Sequence, residues 1–172
     1  FTTENGDAYS YKTTTFTADK ISLGSGVVVN LIGNNPVSLR TRNHGDITLA
    51  TTINVNGGNS AFDSYDAGNG GAIYIGASDS YDGGESYVNP ILVAISGNLS
   101  ANGGNTSATT DTGSGDAGNG GDIVISHASQ IASTLATQIV GYTSIDVSGG
   151  SAHQASSGGD IEIYTESNSN DG

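Results

Sequence analysis

The chain has 172 residues, the length of one ordinary domain. Glycine fills 27 positions, only 34% of residues are apolar and the formal net charge is −13, a balance that repels nucleic acid and anionic lipid. Two prolines without a triplet glycine period exclude collagen. No apolar run approaches the about 18 residues of a membrane span, and the lack of cysteine excludes disulfides, thiolate zinc sites and a cysteine nucleophile.

In chain order, the first segment carries the only positive charge. Lys12, Lys20, Arg40 and Arg42 all precede residue 43 and, with Glu4, Asp7 and Asp19, give that stretch a net +1, leaving −14 for the remainder. Phe1 follows neither an initiator Met nor an apolar leader, as expected of a secreted protein whose signal peptide has been removed. Within residues 1–17, the stretch 8–17 is rich in β-formers and has no partner in the internal repeat that follows in the chain. Residues 1–17 are expected to act as a cap or as a strand added to another molecule, with Tyr9, Tyr11, Lys12 and Phe16 as the assembly residues.

Residues 16–33 contain two alternating strands around Gly24 and Gly26, and residues 36–40 and 46–49 continue the alternation. Residues 52–59 then read TINVNGGN, a motif that returns as NLSANGGN at 98–105 and SIDVSGGS at 144–151. Its apolar anchors Ile53, Leu99 and Ile145 are 46 residues apart. Each copy precedes a second glycine-led strand: DAGNGGAIYI at 66–75, DAGNGGDIVI at 116–125 and SSGGDIEI at 156–163. Between these lie a Tyr- and Asp-rich surface loop at 76–90 and one helical candidate at 129–140, with Ser129 as cap and Ile131, Leu135 and Ile139 on one face. Residues 165–172 are expected to be a disordered tail.

Strands of three to five residues cannot fold alone and must stack on copies of themselves. Glycine pairs beside them suit corners with positive φ, and the unequal intervening loops must project outward. The expected fold is an all-β, single-domain parallel β-helix, or β-solenoid, with rungs over 18–164. A β-sandwich is the competitor. In the β-helix, Ile53, Val55, Ile73, Ile75, Ile123, Ile125, Ile145, Val147, Ile161 and Ile163 point into one core while Asn54, Tyr74, Val124, Asp146 and Glu162 face out.

The succession ISLGSGVVV at 21–29, VSLR at 37–40, GDITL at 45–49 and TINVNGG at 52–58 resembles glycine-rich secreted bacterial proteins of the haemagglutinin-like and sorting-signal-bearing surface class, over residues 16–164. The resemblance implies a β-helical extracellular domain at the cell surface or in a matrix, and no catalytic residues. The chain departs from that pattern in having no sorting helix within its 172 residues.

Among sites, Asp66 and Asn69 recur as Asp116 and Asn119. Oxygen-rich turns of this kind suit calcium, with Asp63, Asp111 and Asp122 as supplements; the same side chains also cap tight turns without a metal. His44, His127 and His153 share no ligand spacing. A β-helical polysaccharide lyase would need a base, and only Arg40 and Arg42 offer one, so an enzyme is not expected. Tyr65, Tyr74, Tyr81, Tyr87 and Phe62 form an aromatic group suited to stacking on sugars or to loop packing. The leading expectation is a secreted structural protein that polymerises head to tail into a fibre, surface layer or matrix. The alternatives are a calcium-dependent glycan-binding adhesin and, less favoured, a polysaccharide-active enzyme. Neither nucleic acid nor membrane insertion is expected.

Overall fold

The computed structural model describes residues 14–41, 45–61, 65–76, 92–107, 115–129, 137–139, 143–152 and 156–167. They hold thirteen strands and no helix: β1 (Thr14–Ala18), β2 (Ile21–Leu23), β3 (Val28–Ile32), β4 (Val37–Thr41), β5 (Ile47–Leu49), β6 (Thr52–Asn56), β7 (Ile73–Ile75), β8 (Val93–Ile95), β9 (Leu99–Ser100), β10 (Ile123–Ser129), β11 (Thr137–Ile139), β12 (Ile145–Asp146) and β13 (Ile161–Ser167).

Each sheet collects every third strand. The orders are β1-β4-β7-β10-β13, β2-β5-β8-β11 and β3-β6-β9-β12. Every pairing between these strands is parallel, which a β-sandwich of antiparallel neighbours does not provide. Three successive strands thus make a tier that contributes one strand to each sheet. The 46-residue spacing read from the sequence is the stacking register itself, since Ile53 pairs with Leu99 and Leu99 with Ile145.

Alternation sorts the side chains. One hydrophobic cluster draws on all three sheets: Val37, Leu39, Ile73, Ile75, Ile123 and Ile125 from the first, Ile21, Ile47, Leu49, Val93 and Ile95 from the second, and Ile53, Val55 and Leu99 from the third. Of the ten residues expected inside, six are buried and Ile145 and Val147 are half-buried. Ile161 and Ile163 are 46% and 48% exposed, a correction with a simple cause. They are in register with Ile123 and Ile125, but β13 is an edge strand and no described strand lies above it.

Three further expectations change. The expected helix over 129–140 is not formed at its described ends, because Ser129 closes β10 and Thr137–Ile139 is β11, which pairs with β8. Residues 165–167, expected in the tail, belong to β13; residues 168–172 lie outside the described residues. The glycine corners are not generally built on positive φ. Among described residues only Gly33 (φ 119°) and Gly76 (φ 70°) show it.

The paired glycines answer a different need, close backbone contact. The segment leaving the third strand of each tier packs against the segment entering the next. A chain of N–H···O bonds crosses this seam, from Gly68 N to Gly58 O (2.8 Å), Gly104 N to Gly68 O (2.8 Å), Gly118 N to Gly104 O (2.9 Å) and Gly150 N to Gly118 O (2.8 Å). A Cβ on Gly118 would sit 1.9 Å from Gly68 O, and one on Gly150 1.9 Å from Gly104 O. Backbone alone fits there.

Candidate functional site

The residues singled out for calcium lie along the outer side of this glycine seam, lining with Ala67, Ala117, Ser156 and Ser157 an open polar groove of ≈ 470 Å³. The structure brings Asp66 together with Asp116, and Asn69 with Asn119, one tier apart. Asp116 N donates to Asp66 Oδ1 (2.9 Å) and Asn119 N to Asn69 Oδ1 (2.8 Å). In return the next amide of the lower tier donates upward, Ala67 N to Asp116 O (2.8 Å) and Gly70 N to Asn119 O (2.8 Å).

The arrangement is a clasp. One residue of the upper tier uses its N–H and its C=O to hold a side-chain carbonyl and the following backbone N–H of the tier below. It occurs nine times among the described residues, at 56/102, 59/105, 66/116, 69/119, 98/144, 102/148, 105/151, 119/157 and 122/160, with side-chain bonds of 2.7–3.1 Å and backbone bonds of 2.8–3.0 Å. The geometry follows from tier spacing. Parallel strands stand about 4.8 Å apart, and an Asn or Asp carbonyl reaches that far while its own backbone stays in the ladder. Seven of the nine lower residues are Asn, so the clasp needs the carbonyl rather than the charge. Asp66, Asn69 and Asn119 are accounted for as acceptors in it, and Asp116 as the donor above Asp66.

Six of the clasps run in three columns with a common ending. Asn56, Asn102 and Ser148 form one, Asn59, Asn105 and Ser151 a second, and Asn69, Asn119 and Ser157 a third. Each ends in serine, whose side chain is too short to bridge to a further tier. Ser148 Oγ instead donates to Asp146 Oδ1 (2.5 Å) within its own tier. That bond, then the one from Asn102 Nδ2 to Asp146 Oδ2 (2.9 Å), and the Ser148 backbone N–H hold the Asp146 carboxyl below its ordinary value against the opposing effect of partial burial.

No group of three or more His, Asp or Glu side chains among the described residues is placed to hold a metal ion. Asp63, Asp111, His44 and His153 lie outside the described residues, as do Phe62, Tyr81 and Tyr87 of the aromatic group. Tyr65 is exposed beside the groove and Tyr74 is half-buried on the outer side of β7. Arg40 is buried in β4, its Nε donating to Ser38 Oγ (2.9 Å). Arg42 lies outside the described residues.

Of the assembly residues, Tyr9, Tyr11 and Lys12 lie outside the described residues. Phe16 is in β1, which pairs with β4 of its own chain, Phe16 against Leu39. Residues 14–17 are therefore a strand of this molecule's own sheet. Beneath them an apolar hollow of ≈ 680 Å³ opens, lined by Phe16, Ile21, Leu23, Val29, Leu31 and Leu39 among others. No pattern of spacing announced this hollow; it arises because the first tier has no described strand on its outer side.

A scan of protein-family models finds no match to the chain, and searches of curated proteins and of solved structures find none either.

Proposed function

We propose that this chain is a secreted structural module that stacks head to tail into an extracellular fibre, layer or matrix. In this reading the tiers are coils of a closed, single-domain parallel β-helix and its ends are where copies meet. The observation that carries the proposal is that β1 and β13, the two end strands of one five-stranded sheet, have no further neighbour among the described residues. Phe16 of β1 and Ile163 of β13 belong to one column, running through Leu39, Ile75 and Ile125, and both are exposed, at 36% and 48%. Apolar residues at a free strand edge favour addition of another chain, and two different ends produce an open polymer rather than a ring. Charge supports the direction, since the near-neutral first 42 residues would meet the acidic remainder. The burial of Arg40, one of only two candidate bases, supports leaving an enzyme aside.

Sedimentation and electron microscopy across a concentration series test the proposal. Filaments or growing oligomers are expected, and Ile163→Lys should abolish them while leaving a folded monomer. A monomer at every concentration, with or without calcium, overturns it.

The second reading, a glycan-binding adhesin, draws on Tyr65, exposed next to the polar groove at Asp66 and Asn69. A glycan-array signal that disappears in Tyr65→Ala would favour it; an array without signal removes it.

A further inference from the structure

Four asparagines among the described residues are followed by glycine: Asn56, Asn69, Asn102 and Asn119. This dipeptide is chemically fragile. The glycine amide nitrogen, unhindered by a Cβ on its own residue, loses its proton to solvent base and attacks the asparagine Cγ. The bond to the side-chain nitrogen breaks, ammonia leaves, and water opens the resulting five-membered imide to aspartate or isoaspartate. Water is consumed and ammonia released, with no other reactant.

In this fold every such pair is clasped at both reacting groups. Asn56 Oδ1 accepts from Asn102 N (2.8 Å) while Gly57 N donates to Asn102 O (2.8 Å). Asn69 Oδ1 accepts from Asn119 N (2.8 Å) and Gly70 N donates to Asn119 O (2.8 Å). Asn102 and Gly103 are held in the same way by Ser148 (2.9 and 2.9 Å), and Asn119 and Gly120 by Ser157 (3.1 and 2.9 Å). Attack requires the nitrogen to leave its upward hydrogen bond and swing onto a carbonyl carbon whose oxygen is also held. The tier above must open first.

We infer that these four pairs are latent modification sites, kept unreactive by the stack and released from the β13 end inward, Asn102 and Asn119 before Asn56 and Asn69. The order follows from what covers them. The clasps on Asn102 and Asn119 come from residues flanking β12 and β13, where Ile145 and Val147 are half-buried and Ile161 and Ile163 exposed. The clasps on Asn56 and Asn69 come from a tier whose neighbours Leu99, Ala101, Ile123 and Ile125 are fully buried. Segments with fewer buried contacts open at lower free energy. The columns agree with this logic: where the chain reaches its outermost clasp, at Ser148-Gly149 and Ser157-Gly158, it has serine in place of asparagine and no amide to lose. Reaction at Asn102 would also weaken the cover that remains, since its Nδ2 bond to Asp146 Oδ2 would be replaced by two facing carboxylates.

The test is peptide mapping by mass spectrometry of the chain aged in one mildly alkaline buffer, with and without denaturant, reading aspartate and isoaspartate at each site. Without denaturant, conversion should be slower by at least about tenfold, the effect of an opening free energy near 1.4 kcal/mol, with Asn102 and Asn119 ahead of the other two. Ile163→Asp, which loosens the edge strand, should accelerate those two sites alone. Equal rates in the folded and denatured chain overturn the protection, and four sites advancing together in the folded chain overturn the end-first order. The unsubstituted chain decides both points even if the variant does not fold.

Discussion

Ile163 is in register with Ile125 on the neighbouring strand, and the first is 48% exposed while the second is fully buried. Residue type, column and sheet are shared, so the difference isolates the contribution of one covering layer. Ile125→Ala should cost about 2–5 kcal/mol, a buried transfer loss plus a cavity. Ile163→Ala in the monomer should cost about 1 kcal/mol or less, because half its surface already meets water. Denaturant unfolding of dilute protein measures both. A large loss at Ile163 that grows with protein concentration would show β13 covered by another copy, as the assembly proposal requires.

The glycine seam makes a sharper demand than the core. Gly118→Ala places a methyl 1.9 Å from Gly68 O and 2.5 Å from Gly68 C, both backbone atoms that cannot rotate away. Overpacking of this kind costs about 1–3 kcal/mol or more, and here it also parts the hydrogen bonds that join successive tiers. Gly26→Ala meets nothing within 4 Å and has no positive φ, so it should be neutral or slightly stabilising. Thermal melts of the two variants should separate clearly.

Two of the three sheets were legible in the sequence because their strands adjoin recurring glycine motifs. Ile53, Leu99 and Ile145 announce one sheet, and Ile73, Ile123 and Ile161 the other. The sheet of β2, β5, β8 and β11 was only half visible. Its later strands, Val93–Ile95 and Thr137–Ile139, each follow a stretch of variable length, so no period marks them. Ile131, Leu135 and Ile139 happen to fall at helical spacing, but Ile139 is in register with Ile95 and stacking prevails over the local pattern. The clasps were legible as recurring Asp and Asn but not as interactions, because their partners lie 38 to 50 residues away. The glycine seam needed the stack, since a close approach between segments leaves no local sign beyond the glycines themselves.

The clasp reading of Asp66 and Asn69 separates shape from charge. Asp66→Asn keeps a carbonyl for Asp116 N and should leave stability unchanged, whereas Asp66→Ala removes the acceptor and should cost about 1 kcal/mol. Excess chelator should not move the melting temperature, since a clasp needs no ion. A melting temperature that falls on chelation, and an Asp66→Asn variant that no longer responds to chelator, would instead show calcium bound to the native state.

Acid provides the last test, at Asp146. Hydrogen bonds from Ser148 and Asn102 favour its charged form, so its carboxyl is held below the ordinary 3.8 in the folded chain. The unfolded chain therefore binds the proton more readily, and stability rises with pH wherever that difference is titrating. The contribution of Asp146 is complete above the ordinary carboxylate range, at about pH 5 and higher, and is lost as pH falls through 3.8 toward the lower folded value. Because the group lies near the surface, its share should be under about 1 kcal/mol. Asp146→Asn removes this titration and should flatten the acid limb of a stability–pH curve below pH 5, with Ser148→Ala producing part of the same effect by deleting the Oγ donor. Parallel acid limbs for the wild type and Asp146→Asn would mean that the Ser148 and Asn102 hydrogen bonds do not favour the ionised carboxyl in solution.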